Sequence, residues 1–134
     1  MSVPAKLTRN QSLVLSALTS AGGPLSAYTI LDRLRGDGFR APLQVYRALE
    51  KLLAEGLVHR LDSINAFVAC AHPHDHDHGL AGFAICETCG QVEEFSDEIV
   101  EERLGAWSRG HGFKPSRTTM EIRGACSDCR TKAG

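Results

Sequence analysis

No part of this chain is apolar over the roughly 18 residues that a membrane span requires, which argues against a membrane-spanning protein. No secretory signal peptide is expected, and with it is expected a reduced, cytoplasmic setting in which disulfides are disfavoured. No internal repeat of solenoid length is present. Strong charge of either sign is lacking, with a net charge of −1 over 134 residues. A chain of this size holds one ordinary domain or two small ones, and a small one is marginal unless a metal or a partner subunit helps it. The near-zero total hides an asymmetry. Residues 1–70 carry eight Lys/Arg against five Asp/Glu, whereas residues 71–134 carry seven against eleven. The first part can meet an anion such as nucleic acid, and the second would repel it.

Against these absences stand five cysteines, four of them in two pairs: Cys86-Glu87-Thr88-Cys89 and Cys126-Ser127-Asp128-Cys129. Two CxxC knuckles can close one tetrahedral thiolate site around a structural zinc. Two disulfides would satisfy the same count but need an oxidising compartment. A thioredoxin-like redox pair would need its CxxC opening a helix in a βαβ context, and neither pair sits there. Cys70 is left over, as a small buried hydrophobe or as a ligand elsewhere.

The first part reads as three helices and a hairpin. Thr8 and Gln11 form a capping-box signature ahead of Val14, Ala17, Leu18 and Ala21 at helical spacing, and Gly22-Gly23-Pro24 stops the run. Ser26 caps a second helix with Ala27, Ile30, Leu31 and Leu34 on one face. Pro42 suits the first position of a third helix running toward Gly56, whose inward face is Val45, Ala48, Leu49, Leu52 and Leu53. At about 100° per residue, Gln44, Arg47 and Lys51 fall opposite that stripe, with Tyr46 on its flank. Such a face is either solvated or enters a major groove, where Arg47 would address guanine and Lys51 and Tyr46 would hold phosphates. Tyr28, early in the second helix, is a further candidate for DNA contact or a packing aromatic. Residues 57–62 and 66–70 then read as two strands of a wing.

The remainder reads as strand, strand, helix, strand. Phe83-Ala84-Ile85 enters the first knuckle and Gln91 to Phe95 leaves it. Ser96, Asp97 and Glu98 begin a helix with an acidic first turn and an apolar face of Ile99, Val100, Leu104 and Trp107, and Arg117 to Arg123 enter the second knuckle. The fold class expected is therefore α+β. A winged helix-turn-helix over 1–71 and a His-rich hinge over 72–80 lead into a zinc-stapled α/β dimerisation domain over 81–134.

With these residues in view, the chain resembles the ferric-uptake-regulator family of bacterial metal-responsive repressors over nearly its whole length. The likeness is carried by Leu7-Thr8-Arg9-Asn10-Gln11, Val45-Tyr46-Arg47-Ala48-Leu49, the His-rich hinge, and Cys86-Glu87-Thr88-Cys89-Gly90 with Cys126 and Cys129. In detail it is similar to the zinc-uptake-regulator branch. That resemblance implies a regulatory zinc held by His59, Cys70, His78 and Glu94, with His76 as the alternative to His78. A thiolate at position 70 suits zinc better than the oxygen and nitrogen sets typical of iron and manganese. It further implies two zinc ions per subunit, one structural and one regulatory. The expected function is a homodimeric repressor that binds palindromic double-stranded operator DNA when loaded and controls zinc uptake genes, with no membrane partner and no small-molecule substrate. An enzyme is not expected, because a closed thiolate site leaves no open coordination position. The alternatives are an iron- or peroxide-responsive regulator on the same scaffold and a zinc carrier that does not bind DNA.

Overall fold

Thr8 starts the first helix because its hydroxyl accepts from the Gln11 N–H at 3.2 Å while the Gln11 side chain accepts from the Thr8 N–H at 2.9 Å. Two of the free donors at the helix start are thereby satisfied. The computed structural model describes residues 6–70, 80–116 and 118–133, and the chain divides into two compact units, Met1–Pro73 and His74–Gly134. No helix among the described residues is long and apolar enough to cross a membrane.

In the first unit, α1 spans Arg9–Ala21 and stops at Gly22, whose φ of 68° is left-handed. Ser26 accepts from the Thr29 N–H at 3.1 Å and opens α2, Ala27–Leu34. After a short 3₁₀ turn at Arg35–Asp37, α3 spans Pro42–Ala54. The hairpin pairs β1, Val58–Leu61, with β2, Ala66–Ala69, in the register Val58↔Ala69 to Leu61↔Ala66. Leu25 adds a single bridge to Phe67, with reciprocal N–H···O bonds of 2.9 and 2.8 Å. Fourteen buried apolar residues form one core, from Val14 and Leu18 of α1 through Ile30 and Leu31 of α2 to Val45, Leu49 and Leu52 of α3, closed by Val58 and Phe67. Phe39, in the turn before α3, is also in this core, a position that helical periodicity does not mark. The winged helix-turn-helix expected from the sequence is present.

In the second unit, β3 (Leu80–Cys86) is central, flanked by β4 (Val92–Phe95) antiparallel and β5 (Thr118–Gly124) parallel. A parallel neighbour needs a crossover, and α4, Glu98–Gly110, lies between β4 and β5 in the chain. Its cap is Asp97 rather than Ser96: the Asp97 carboxylate accepts from the N–H groups of Ile99 and Val100 at 2.9 and 3.1 Å. A short α5, Ser127–Ala133, follows Cys126 and was not expected.

The apolar face expected of α4 is not a core face. Ile99, Leu104 and Trp107 are 73%, 39% and 57% exposed, and the buried residue of this helix is Ser108, whose hydroxyl donates to the Leu104 carbonyl at 2.9 Å. Buried apolar residues described in this unit reduce to Leu80, Phe83, Ile85 and Cys86.

Candidate metal centres and nucleic-acid face

The first knuckle is the turn between β3 and β4. Cys86 closes it by donating its N–H to Gln91 O at 2.9 Å, and Gly90, at φ 80°, donates back to Cys86 O at 2.9 Å. The second lies where β5 runs into α5, and the Glu87 N–H donates to Gly124 O at 2.7 Å, tying the two turns together. The parallel pairing thus brings Cys86, Cys89, Cys126 and Cys129 together, their sulfurs all within 4.8 Å of one another. Zinc–sulfur bonds of about 2.3 Å in a tetrahedron set sulfur–sulfur edges of about 3.8 Å, and the Cys89–Cys126 pair stands at 3.8 Å. All four are free thiols rather than disulfides. The donor set fits zinc in number, type and spacing.

The electrostatics of the cluster point the same way. Backbone N–H groups of Cys126 and Cys89 each point at the Cys86 sulfur at 3.4 Å, and with desolvation opposing them they hold that thiol down at about 5. Cys129, set against the sulfurs of Cys126 and Cys86, is pushed up to about 12. One sulfur is ready as thiolate and another resists becoming one beside its neighbours, a conflict that a bound cation removes.

In the first unit His59 and Cys70 meet on one face of the hairpin. His59 stands opposite Val68 in register, and Cys70 extends the ladder by donating its N–H to Leu57 O at 2.8 Å. The two are therefore diagonal neighbours on the same face, with ligand atoms within 4.8 Å of each other. Both side chains are half-buried. Glu94 lies on β4 of the second unit, opposite Phe83 in register and half-buried. His78 and its alternative His76 lie outside the described residues.

On α3, Arg47 is exposed on the side away from the core, and Tyr46 is 38% exposed. Gln44 is already engaged: its side-chain oxygen accepts from the N–H groups of Arg40 and Ala41 at 2.6 and 3.0 Å, capping α3. Lys51 pairs with Glu55 at 3.4 Å, a half-exposed surface contact of the weak kind. Tyr28 on α2 is 64% exposed and is no core aromatic. Sequence reasoning missed that Thr8, Asn10 and Gln11 at the start of α1 share a groove of about 280 Å³ with Gln44, Arg47 and Ala48. The capping signature at Thr8 marks the helix start but carries no hint of its nearness to Arg47.

The ferric uptake regulator family model matches residues 3–123. The zinc uptake regulation protein of Escherichia coli K12 is 36% identical over 125 residues, covering 92% of this chain and 72% of that protein. Among solved structures, the crystal structure of holo XcZur is 41% identical, with a TM-score of 0.84 over 94% of this chain and 87% of that one. A zinc uptake regulator complexed with zinc and DNA is 34% identical, with a TM-score of 0.88 over 96% and 87%. Regulators of this family are not enzymes. With the winged helix, the tetrathiolate cluster and these likenesses together, the chain belongs to the ferric uptake regulator family of metal-responsive, DNA-binding regulators.

Proposed function

We propose that this chain is a zinc-responsive repressor that binds a palindromic operator as a zinc-loaded homodimer and controls zinc uptake genes. The observation that carries the reading is the meeting of His59 and Cys70 on one face of the wing. A thiolate beside an imidazole suits zinc better than iron(II) or manganese(II). In this reading Glu94 and a histidine of the 72–78 run, His78 first and His76 second, complete the set. His59 and Cys70 belong to the DNA-binding unit and Glu94 to the other, so a shared ion supplies a link between the units. Tying Glu94 to the wing narrows the range of unit arrangements and favours the one in which two copies of α3 fit successive major grooves. A coupling of about 1–3 kcal/mol per site is ordinary for such a switch.

Arg47 is the base-reading residue of this account, with Tyr46, Tyr28 and Lys51 on phosphates and Gln44 mainly supporting the start of α3. The exposed apolar residues of the second unit, Ile99, Trp107, Phe113 and Ile122, support a surface covered by a second copy. The zinc uptake regulation proteins and zinc-and-DNA structure to which the chain is similar support the same reading. Its test is operator binding by the purified protein against free zinc, iron(II) and manganese(II) at fixed salt, since salt alone moves such affinities by orders of magnitude. Tight binding with zinc at the lowest free concentration is expected. Equal or better response to iron(II) would transfer the protein to the iron-sensing reading, and no operator binding under any metal would favour a zinc carrier.

A further inference from the structure

The first turn of α3 carries an apolar side chain that the core does not use. Leu43, the second residue of this helix, is 56% exposed. At about 100° per residue it stands opposite Leu52, whose side chain has no exposure, so the helix directs Leu43 away from the core. A single exposed leucine on a protein surface is ordinary, and what sets this one apart is its company. Tyr46, 38% exposed, follows three residues later and the exposed Arg47 four residues later, the two spacings that make side chains neighbours on a helix surface.

Arg47 also differs from other arginines of this unit. Arg9, Arg35 and Arg60 are each engaged, by the Asp37 carbonyl at 2.9 Å, by Asp32 at 3.1 Å and by Asp62 at 2.9 Å. Arg47 makes no such contact among the described residues. The outer face of α3 thus opens with an apolar group beside an unengaged guanidinium. Recognition helices of helix-turn-helix proteins present residues of their N-terminal turns to base edges in the major groove. The one methyl group on those edges belongs to thymine, while the other features are donors and acceptors that a leucine cannot pair.

We propose that Leu43 is a specificity residue that reads a thymine by packing on its C5 methyl, next to the guanine addressed by Arg47. The inference rests on the reading of α3 as the helix that enters the operator. Four residues of helix rise about 6 Å against about 3.4 Å per base pair, so for a helix lying along the groove the thymine falls within about two base pairs of the guanine. Covering one methyl-sized group is worth about fourfold in affinity for each half-site, or about 15-fold when both halves of a symmetric operator are altered together.

The test uses the full zinc-loaded chain and an operator that this protein selects from a pool of random-sequence duplexes. Each thymine of the half-site is replaced in turn, in both halves, by uracil, which keeps the base pairing and removes only the C5 methyl, and affinities are measured at fixed salt. The native chain is expected to lose about 15-fold at one thymine position and little at the others. Leu43→Ala is expected to bind the unmodified operator more weakly by at least that factor and to lose nothing further when the same thymine becomes uracil, with its thermal midpoint and zinc content unchanged because the side chain is exposed. Indifference of the native chain to uracil at every position would overturn the inference. So would a uracil penalty in Leu43→Ala equal to that of the native chain, which would place the methyl's effect in the DNA or in another side chain. A selection that yields no operator would defeat the DNA-reading role of α3 and the Leu43 contact together, whereas zinc-dependent operator binding without the thymine effect would defeat the Leu43 contact alone.

Discussion

The two units hold together by different means. The first closes a core of fourteen buried apolar residues drawn from three helices, a hairpin and the connections that carry Leu25 and Phe39. The second has four buried apolar residues described, one of them the ligand Cys86, while Ile99, Trp107, Phe113 and Ile122 stay exposed. Burial at about 25 cal/mol per Å² sustains the first as an ordinary small domain. The second has instead the four-cysteine cluster, where a structural zinc would contribute roughly 10–16 kcal/mol apparent. That exceeds the whole net stability of many domains. The difference predicts two jobs: a self-sufficient reading unit, and a unit whose integrity depends on metal.

Stripping the structural zinc is the strongest way to break that contrast. A tight chelator, or Cys129→Ser, is expected to unfold the second unit and leave α1, α2 and α3 protected, as followed by amide hydrogen exchange resolved along the chain. Continued protection of β3 and β5 without metal would erase the distinction. The converse change is Leu52→Ala, at a side chain with no exposure, expected to cost about 2–5 kcal/mol in denaturant unfolding of the first unit with zinc content unchanged. Smaller still is Arg47→Ala, expected to remove about 1–3 kcal/mol of base discrimination without altering the stability of either unit. Competition between operator and scrambled DNA measures it, and an unchanged preference would remove Arg47 from the reading role. The least effect is expected from Thr8→Ala, about 1 kcal/mol from the lost cap, seen as a lowered denaturation midpoint of the first unit alone.

The same contrast explains what the sequence made legible. Thr8, Ser26 and Pro42 announce helix starts through local hydrogen bonding and a fixed torsion, and the structure begins α1, α2 and α3 there. The four-cysteine cluster was equally readable, because CxxC spacing is a local property with one dominant chemistry. Pairings over long sequence distance were not. The Leu25–Phe67 bridge is a single residue pair with no periodicity behind it, and the parallel partnership of β3 and β5 depends on strand order. The α4 stripe was legible as an apolar face, but the side it looks to was not. An amphipathic pattern shows that a face wants cover, but not whether its own sheet supplies it, and Ile99 and Trp107 look outward. Gln44 shows another gap, since a helical wheel gives direction while ignoring the capping bonds its side chain makes to residues three and four positions upstream. Of the proposed regulatory set, the diagonal meeting of His59 and Cys70 follows from hairpin register, which strand spacing alone does not fix.

The central claim is that a thiolate on the wing makes DNA binding respond to zinc, and Cys70→Ser tests it most directly. Operator binding of this variant and the native chain is to be compared by fluorescence anisotropy across free zinc at fixed salt, with structural zinc and fold verified in both. The account expects the variant to keep its structural zinc and its fold while its operator affinity no longer rises with zinc. A variant that still tightens on the operator over the native range of free zinc would contradict it.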